Sequence, residues 1–219
     1  MKNLREEMPW NYCDYRCEVC LYQATCKVFH AVQVEQQIAV AEGKDPDSME
    51  FVLESVGRTL ADVGVSLEEE LQKRGIDLDA VTEEAKRRPW RERRDPLARQ
   101  ALDLAVRTLK FIRQSRPAAI QEPSLAQAWD NLEWYAPLAG AKIGRALAGL
   151  EDAEDGDPEW GVPDYSVSAG IALKSIRECL GALAALEGAV PAADGEIREL
   201  RAEFAKVREI IRERFAQRM

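Results

Sequence analysis

The sequence contains a single histidine, His30, among its 219 residues. Ferritin-like di-iron sites need a Glu-x-x-His motif on each of two helices, so this class of protein is excluded. Lys27, and not a carboxylate, stands three residues before His30. A histidine-based catalytic triad is also unsupported, because no nucleophile elbow occurs in the chain.

Long apolar runs are absent as well. No stretch approaches the roughly 20 residues that span a bilayer, and the opening MKNLREEMPW has no apolar run of the signal-peptide type. We therefore expect a soluble, cytoplasmic protein with no membrane association. The net charge of −9 argues against nucleic acid as a partner, because phosphate binding needs a basic surface.

The alternating pattern of β-strands is missing, and apolar residues recur three and four positions apart instead. This spacing is typical of amphipathic helices. The sequence predicts an all-α fold. In this fold a Cys-rich N-terminal segment and short helices are packed on, or linked to, a C-terminal antiparallel four-helix bundle.

We divide the chain into three regions. The first holds the Cys-rich segment and a helix from about Glu18 to Glu42, the second holds short helices and a basic linker, and the third holds the bundle. Their bounds are 1–43, 44–95 and 96–219. The sharpest change in composition falls at Lys86–Arg94, where six of nine residues are basic and Pro89 interrupts the run.

Local signals refine these helices. Asp47-x-x-Glu50 is a plausible capping pair for the helix that follows the first break. We expect that helix to end near Gly64 and Ser66 to open a separate short one. Pro137 falls inside the second bundle helix, which predicts a kink or a later start.

The most distinctive stretch is a cluster of four cysteines, Cys13, Cys17, Cys20 and Cys26, in the spacing C-x3-C-x2-C-x5-C, with His30 four residues further on. In the reducing compartment that we expect, clustered cysteines more often hold metal than form disulfides. Structural zinc commonly uses two separated C-x2-C pairs. Compact runs with gaps of two and three residues are more typical of [4Fe–4S] clusters.

The spacing Cys17-x2-Cys20-x5-Cys26-x3-His30 also resembles part of the SPASM auxiliary-cluster motif of radical-SAM maturases. That motif ends in cysteine where this chain has His30. The resemblance covers about 14 residues and implies an iron–sulfur cluster, while the pattern of a radical-SAM barrel is missing from the sequence.

The favoured function is therefore binding of a [4Fe–4S] cluster by Cys13, Cys17, Cys20 and Cys26, for electron transfer or redox sensing. The alternative is a structural zinc site in a protein-interaction module without catalytic activity. Disulfides, redox thiols and plain core cysteines remain as other interpretations. His30 is an additional or replacement ligand, a hydrogen-bond donor to a cysteine sulfur, or a helix-surface residue.

No catalytic residue is assigned, and whether the protein is an enzyme stays open. The expected partners are an unidentified protein or redox partner and a second copy of the chain. The fifth cysteine, Cys179, falls on an apolar helical stripe and is expected in the core.

Two other groups of residues stand out. The acidic run Glu151–Glu159 is expected to be a solvated loop, and it could pair with the basic run Lys86–Arg94. A polar and aromatic cluster could line a pocket at one end of the bundle, although capping, ion pairs and aromatic packing are the favoured interpretation. Its members are Trp129, Asp130, Glu133, Trp134, Tyr135, Lys142, Arg145, Asp164, Ser166 and Lys174.

Overall fold

The computed structural model describes residues 13–77, 79–80, 82–83, 95–117, 119–152 and 164–216. Over these residues the chain is helical and contains no strand, which confirms the all-α prediction. None of the helices in these ranges is long and apolar enough to cross a bilayer. The basic run Lys86–Arg94 and the side chains of Glu151–Glu159 lie outside the described residues, so their pairing stays a hypothesis.

The long helices are α1 (Lys27–Ala41), α2 (Met49–Lys73), α3 (Pro96–Ser115), α4 (Pro123–Asp152), α5 (Asp164–Leu186) and α6 (Asp194–Phe215). Short 3-10 turns cover Cys17–Val19, Gln23–Thr25 and Pro191–Ala193. The chain forms two compact units. One contains residues 13–16 and the described residues from 95 onward, and the other contains the described residues from 17 to 83. The predicted division at 43 and 95 stays a prediction.

The larger unit has one apolar core, built from helices α3 to α6. Helix α4 packs along α3 and α5, and α6 packs on α5 and α3. Each helix contributes the stripe that its three-and-four spacing predicts, because burying that stripe supplies most of the stability of such helices. The largest fully buried side chains are Leu104, Phe111, Trp129, Leu132, Ile143, Ile176, Leu183, Leu186, Ile197, Leu200, Phe204 and Phe215.

Two contacts fix how closely α3 and α4 approach each other. The rings of Phe111 and Trp129 stack with centroids 5.4 Å apart. Further along α4, a Cβ atom added to Gly140 would lie 3.2 Å from the Ala101 carbonyl oxygen and 3.2 Å from the Ala105 Cβ. Gly140 is therefore a packing residue: the absence of a side chain lets the two backbones approach.

Polar groups close the ends of this unit. The Asp95 carboxylate accepts a hydrogen bond from the Leu97 amide at 2.8 Å and caps α3. The same carboxylate forms an ion pair with Arg214 of α6.

The buried hydroxyls of Thr108 and Ser175, inside α3 and α5, donate to backbone carbonyls one turn earlier, at 2.8 and 2.9 Å, so neither is left unsatisfied.

The smaller unit has little apolar core, and charged groups join its two helices. Arg58 of α2 lies 2.8 Å from Glu35 of α1, and Glu54 of α2 lies 2.8 Å from Lys44. Phe51 is buried beneath the Arg58 guanidinium, which lies 5.9 Å from the ring centroid. Exposed ion pairs of this kind each contribute little stability. The stability of this unit therefore depends on the few buried side chains, such as Phe51.

The N-terminal helix begins later than the sequence predicts. A start near Glu18 is wrong, because residues 17–25 form two 3-10 turns and α1 begins at Lys27. The Cys26 sulfur accepts a hydrogen bond from the Phe29 amide at 3.4 Å, so Cys26 is the N-cap of α1. The end near Glu42 is confirmed, and Gly43 follows with a positive φ of 72°.

The short helices predicted on either side of Gly64 are one helix of 25 residues, α2. Gly64 and Ser66 lie inside α2 and neither ends nor starts a helix, because a single glycine costs only about 1 kcal/mol in a long helix. The cap is Ser48, whose hydroxyl accepts from the Phe51 amide, and the Asp47–Glu50 prediction is wrong.

The predicted alternative that α4 starts only after Pro137 is also wrong, since the helix begins 14 residues before Pro137.

Gly140→Val tests the close approach of α3 and α4. We expect the free energy of unfolding to fall by about 1–3 kcal/mol, because the added methyl groups meet Ala101 and Ala105. The matched control is Gly181→Ala in α5, where an added Cβ meets nothing within 4 Å. That change should raise stability by up to about 1 kcal/mol. Urea denaturation measures both, and a neutral Gly140→Val would contradict this packing.

Candidate metal centre

The residue after the first cysteine is the best-anchored polar group in the larger unit. Asp14 is buried, with 8% of its surface exposed. Its Oδ2 atom accepts a hydrogen bond from the Tyr135 hydroxyl at 2.8 Å and lies 2.5 Å from the Lys174 ammonium. The Trp134 indole donates to the Asp14 carbonyl at 2.9 Å. A non-helical segment is thereby joined to α4 and α5.

The electrostatics of this anchor agree with an ionised carboxylate. Burial alone would raise the pKa of Asp14, but hydrogen bonds from Lys174 and Tyr135 outweigh burial, so its pKa lies below the ordinary value. Burial and the hydrogen bond to Asp14 raise the pKa of the Tyr135 phenol. Tyr135 therefore acts as a neutral donor and Asp14 as the charged acceptor.

Arg16 adds a second attachment on α4. Its guanidinium donates to the Asn131 side-chain oxygen at 3.2 Å. The same group lies 5.8 Å from the Trp134 ring centroid and 5.9 Å from that of Tyr135, within the range of cation–π attraction. Residues 14 and 16 together hold the backbone on either side of Tyr15.

Cys13 is placed by this anchor. Its sulfur accepts a hydrogen bond from the Tyr15 amide at 3.1 Å, and Tyr15 has the positive φ of 61° that is uncommon outside glycine. The Lys142 ammonium lies 5.5 Å from the Tyr15 ring centroid. Burial and the charge of Arg145 lower the pKa of Lys142, while Asp164 and Cys13 act in the opposite direction.

The other three cysteines belong to the smaller unit. Cys17 begins a 3-10 turn, and its carbonyl accepts from the Cys20 amide at 3.2 Å. The Cys20 sulfur accepts from the Tyr22 amide at 3.4 Å. Cys26 is buried at the N-terminus of α1, where its sulfur accepts from the Phe29 amide.

His30 is exposed on the first turn of α1. Its amide donates to the Cys26 carbonyl at 3.0 Å, as the predicted spacing of four requires. Its Nε2 atom lies 3.1 Å from the Ala24 carbonyl oxygen. Metal-ligating histidines commonly use one ring nitrogen for such a carbonyl contact and the other for the metal. The geometry thus keeps His30 as an alternative ligand.

These side chains do not form a closed metal site in the described part of the chain. There, no three side chains of His, Cys, Asp or Glu lie together as a bound ion requires. Backbone amides contact individual sulfurs, and convergence of the four cysteines on one site stays a prediction. The donor set itself fits zinc or an iron–sulfur cluster, since both take thiolate ligands.

The polar and aromatic cluster of the larger unit consists of core packing and ion pairs, as the favoured interpretation predicts. Trp129 is in the core, Arg116 pairs with both Asp130 and Glu133, and Arg145 pairs with Asp164. Sequence reasoning missed Asp14, which is the acceptor for several members of this cluster. The only signal was the Trp134-Tyr135 pair, whose polar tips need partners when their rings are buried.

Comparison with known proteins gives no further guidance. No protein family matches the sequence, and no curated protein or solved structure has significant similarity to it.

Tyr135→Phe tests the Asp14 anchor. We expect the free energy of unfolding to fall by about 1–2 kcal/mol, because a buried carboxylate loses a charge-strengthened hydrogen bond. Tyr165→Phe is the control, since Tyr165 packs on the same core from α5 and the substitution keeps its ring. We expect it to cost less, under about 0.5 kcal/mol. Equal effects of the two substitutions, measured by urea denaturation, would contradict the anchor.

Cys179 provides a separate test. It is fully buried in the core, and burial raises the pKa of its thiol. We expect the folded, metal-free protein to resist alkylation at Cys179 by iodoacetamide at neutral pH, while partly exposed Cys20 reacts. Peptide mass spectrometry measures both sites. Rapid labelling of Cys179 in the folded chain would show that it is accessible.

Proposed function

We propose that this chain is a metal-binding protein in which Cys13, Cys17, Cys20 and Cys26 hold a [4Fe–4S] cluster for electron transfer or redox sensing. The observation that carries the proposal is the set of amide hydrogen bonds to sulfur. Backbone N–H groups of Tyr15, Tyr22 and Phe29 point at the sulfurs of three of the four cysteines, at 3.1 to 3.4 Å. Such bonds stabilise thiolates and tune the reduction potential of a cluster.

The positions of two cysteines support a role in ligation. Cys26 lies at the N-terminus of α1, and Cys13 lies near the Lys142 ammonium. Neither feature is expected for cysteines that only fill space, because a structural thiol is inert in apolar surroundings. Cys179 fits that inert description and serves as the internal comparison.

Assembly of the site is part of the proposal. In the described residues no three metal-binding side chains lie together, and we propose that metal binding draws the four cysteines into one site. Binding free energy of about 10–16 kcal/mol is typical of structural zinc peptides and is enough to reorder short turns such as Cys17–Val19 and Gln23–Thr25.

We further infer that helices α3 to α6 form an antiparallel four-helix bundle, as the sequence predicts. Short connections and the packing of α6 on both α5 and α3 support a closed ring of four helices. In this arrangement the bundle is the rigid support for Cys13, through Asp14, Tyr135 and Lys174.

Structural zinc is the second candidate. Its support is the Cys17-x2-Cys20 turn, in which the Cys20 amide contacts the Cys17 carbonyl and the Cys20 sulfur accepts an amide hydrogen bond. Four thiolates would close the site and leave no position for catalysis. Zinc would then hold the N-terminal segment in place for binding to another protein.

Metal analysis after anaerobic purification tests the proposal. We expect about four iron and four sulfide per chain with a broad visible absorbance. Cys20→Ser should lose most of the metal. Cys179→Ala is the matched control and should retain it, because Cys179 is buried in the apolar core of the larger unit and is not one of the four proposed ligands.

The outcomes separate the candidates. About one zinc per chain without iron selects the structural site. A wild-type chain that carries neither metal after purification or anaerobic reconstitution would overturn both. If Cys20→Ser retains the metal and His30→Ala loses it, then His30 and not Cys20 is a ligand. This result would contradict the four-cysteine ligand set.

A further inference from the structure

Helix α2 exposes a regular apolar seam along most of its length. Its members follow one another at intervals of four and three, the a/d spacing of a coiled coil. Their exposed fractions are 72, 64, 49, 66, 56 and 51% for Met49, Leu53, Val56, Leu60, Val63 and Leu67. Six large apolar side chains in one line are unusual on a free surface, where isolated exposed residues are normal.

The seam lies on the side of α2 that faces away from α1. Hydrogen bonds to α1 and its following loop use Glu54, Ser55 and Arg58, and Phe51 is buried on the same side of α2. At 100° per residue these positions centre on the side of the helix opposite to the seam. The contacts between α1 and α2 therefore do not cover the seam.

We propose that this seam pairs with the seam of a second copy of the chain, as an antiparallel two-helix coiled coil. This inference is independent of the metal proposal. A two-fold axis near residue 58 sets every seam residue against another seam residue. The three reciprocal pairs are Met49 with Leu67, Leu53 with Val63, and Val56 with Leu60 of the second copy.

The apolar surface that two seams can bury is large enough for a dimer interface. Full burial of one such side chain contributes about 1.5–3 kcal/mol at roughly 25 cal/mol per Å², which corresponds to on the order of 100 Å². Twelve half-exposed or more exposed side chains, six from each copy, offer on the order of 1,000 Å² with their flanking residues. This value is the lower limit of a stable protein interface.

The residues beside the seam favour close approach. Gly57 and Gly64 lie seven residues apart next to the seam, and an added Cβ at either meets nothing within 4 Å. Each glycine costs about 1 kcal/mol in a helix interior, so the pair needs a compensating contact. In the antiparallel register Gly57 meets Gly57 and Gly64 meets Glu50 of the second copy, so no like charges face each other at these positions.

The position of Glu70 distinguishes the two arrangements. In a parallel pair the seam would continue to Glu70, which would face Glu70 of the second copy. Like charges in contact destabilise such an interface. The antiparallel register removes this contact and places Glu70 beyond the six seam residues, near the N-terminus of the other α2, where the helix dipole favours negative charge but Asp47 is also present.

Sedimentation velocity over a range of concentrations tests the dimer. We expect the wild-type chain to dimerise and Leu60→Glu to raise the dissociation constant at least about 100-fold, because a charge is placed in the apolar seam. The control is Val65→Glu, on the same helix and 58% exposed but off the seam. It should leave the dissociation constant within about threefold, a change of under 1 kcal/mol. Circular dichroism verifies that both variants stay helical.

The register is tested by mixing Met49→Cys and Leu67→Cys chains and identifying the disulfide-linked peptides by mass spectrometry. The peptide masses distinguish links between the introduced cysteines from links that involve native cysteines. A 49-to-67 link is expected. A monomeric wild type at the highest soluble concentration, a dimer unaffected by Leu60→Glu, or a dimer equally weakened by Val65→Glu would overturn the proposal. Links of 49 to 49 and 67 to 67 would overturn its antiparallel register.

Discussion

The buried carboxylate of Asp14 is the interaction on which the placement of the first cysteine depends. It accepts from Tyr135 on α4 and pairs with Lys174 on α5, so it bridges two core helices. A buried charge is tolerated only when its partners are in place. The segment from Cys13 to Arg16 is therefore fixed on the larger unit with no regular secondary structure of its own.

The two units hold the cysteines differently. The larger unit is stabilised by an extensive apolar core and holds Cys13, while the smaller unit carries Cys17 and Cys20 at a short turn and Cys26 at the N-terminus of α1. Binding of a metal by these cysteines stays a proposal, in which formation of the site is coupled to metal binding.

The apolar core could be predicted from the sequence, because burial imposes a period of 3.6 residues on positions such as Leu104, Ile176 and Phe204. The end of α1 before Gly43 could be predicted for a similarly local reason. Asp14 could not, since its partner Tyr135 is 121 residues away and an isolated acid has no period. The continuous α2 was missed because Gly64 was given more weight than its helical neighbours, whose combined propensity exceeds one glycine's cost.

The cysteine spacing predicts a ligand set but not its geometry, because the turns from Cys17 to Thr25 are set by local hydrogen bonds such as that of the Cys20 amide. X-ray absorption at the metal edge of the loaded protein tests the central claim most directly. The account predicts a first coordination shell of sulfur at about 2.3 Å, the distance of metal–thiolate bonds. A shell dominated by nitrogen and oxygen would contradict the claim that Cys13, Cys17, Cys20 and Cys26 bind the metal.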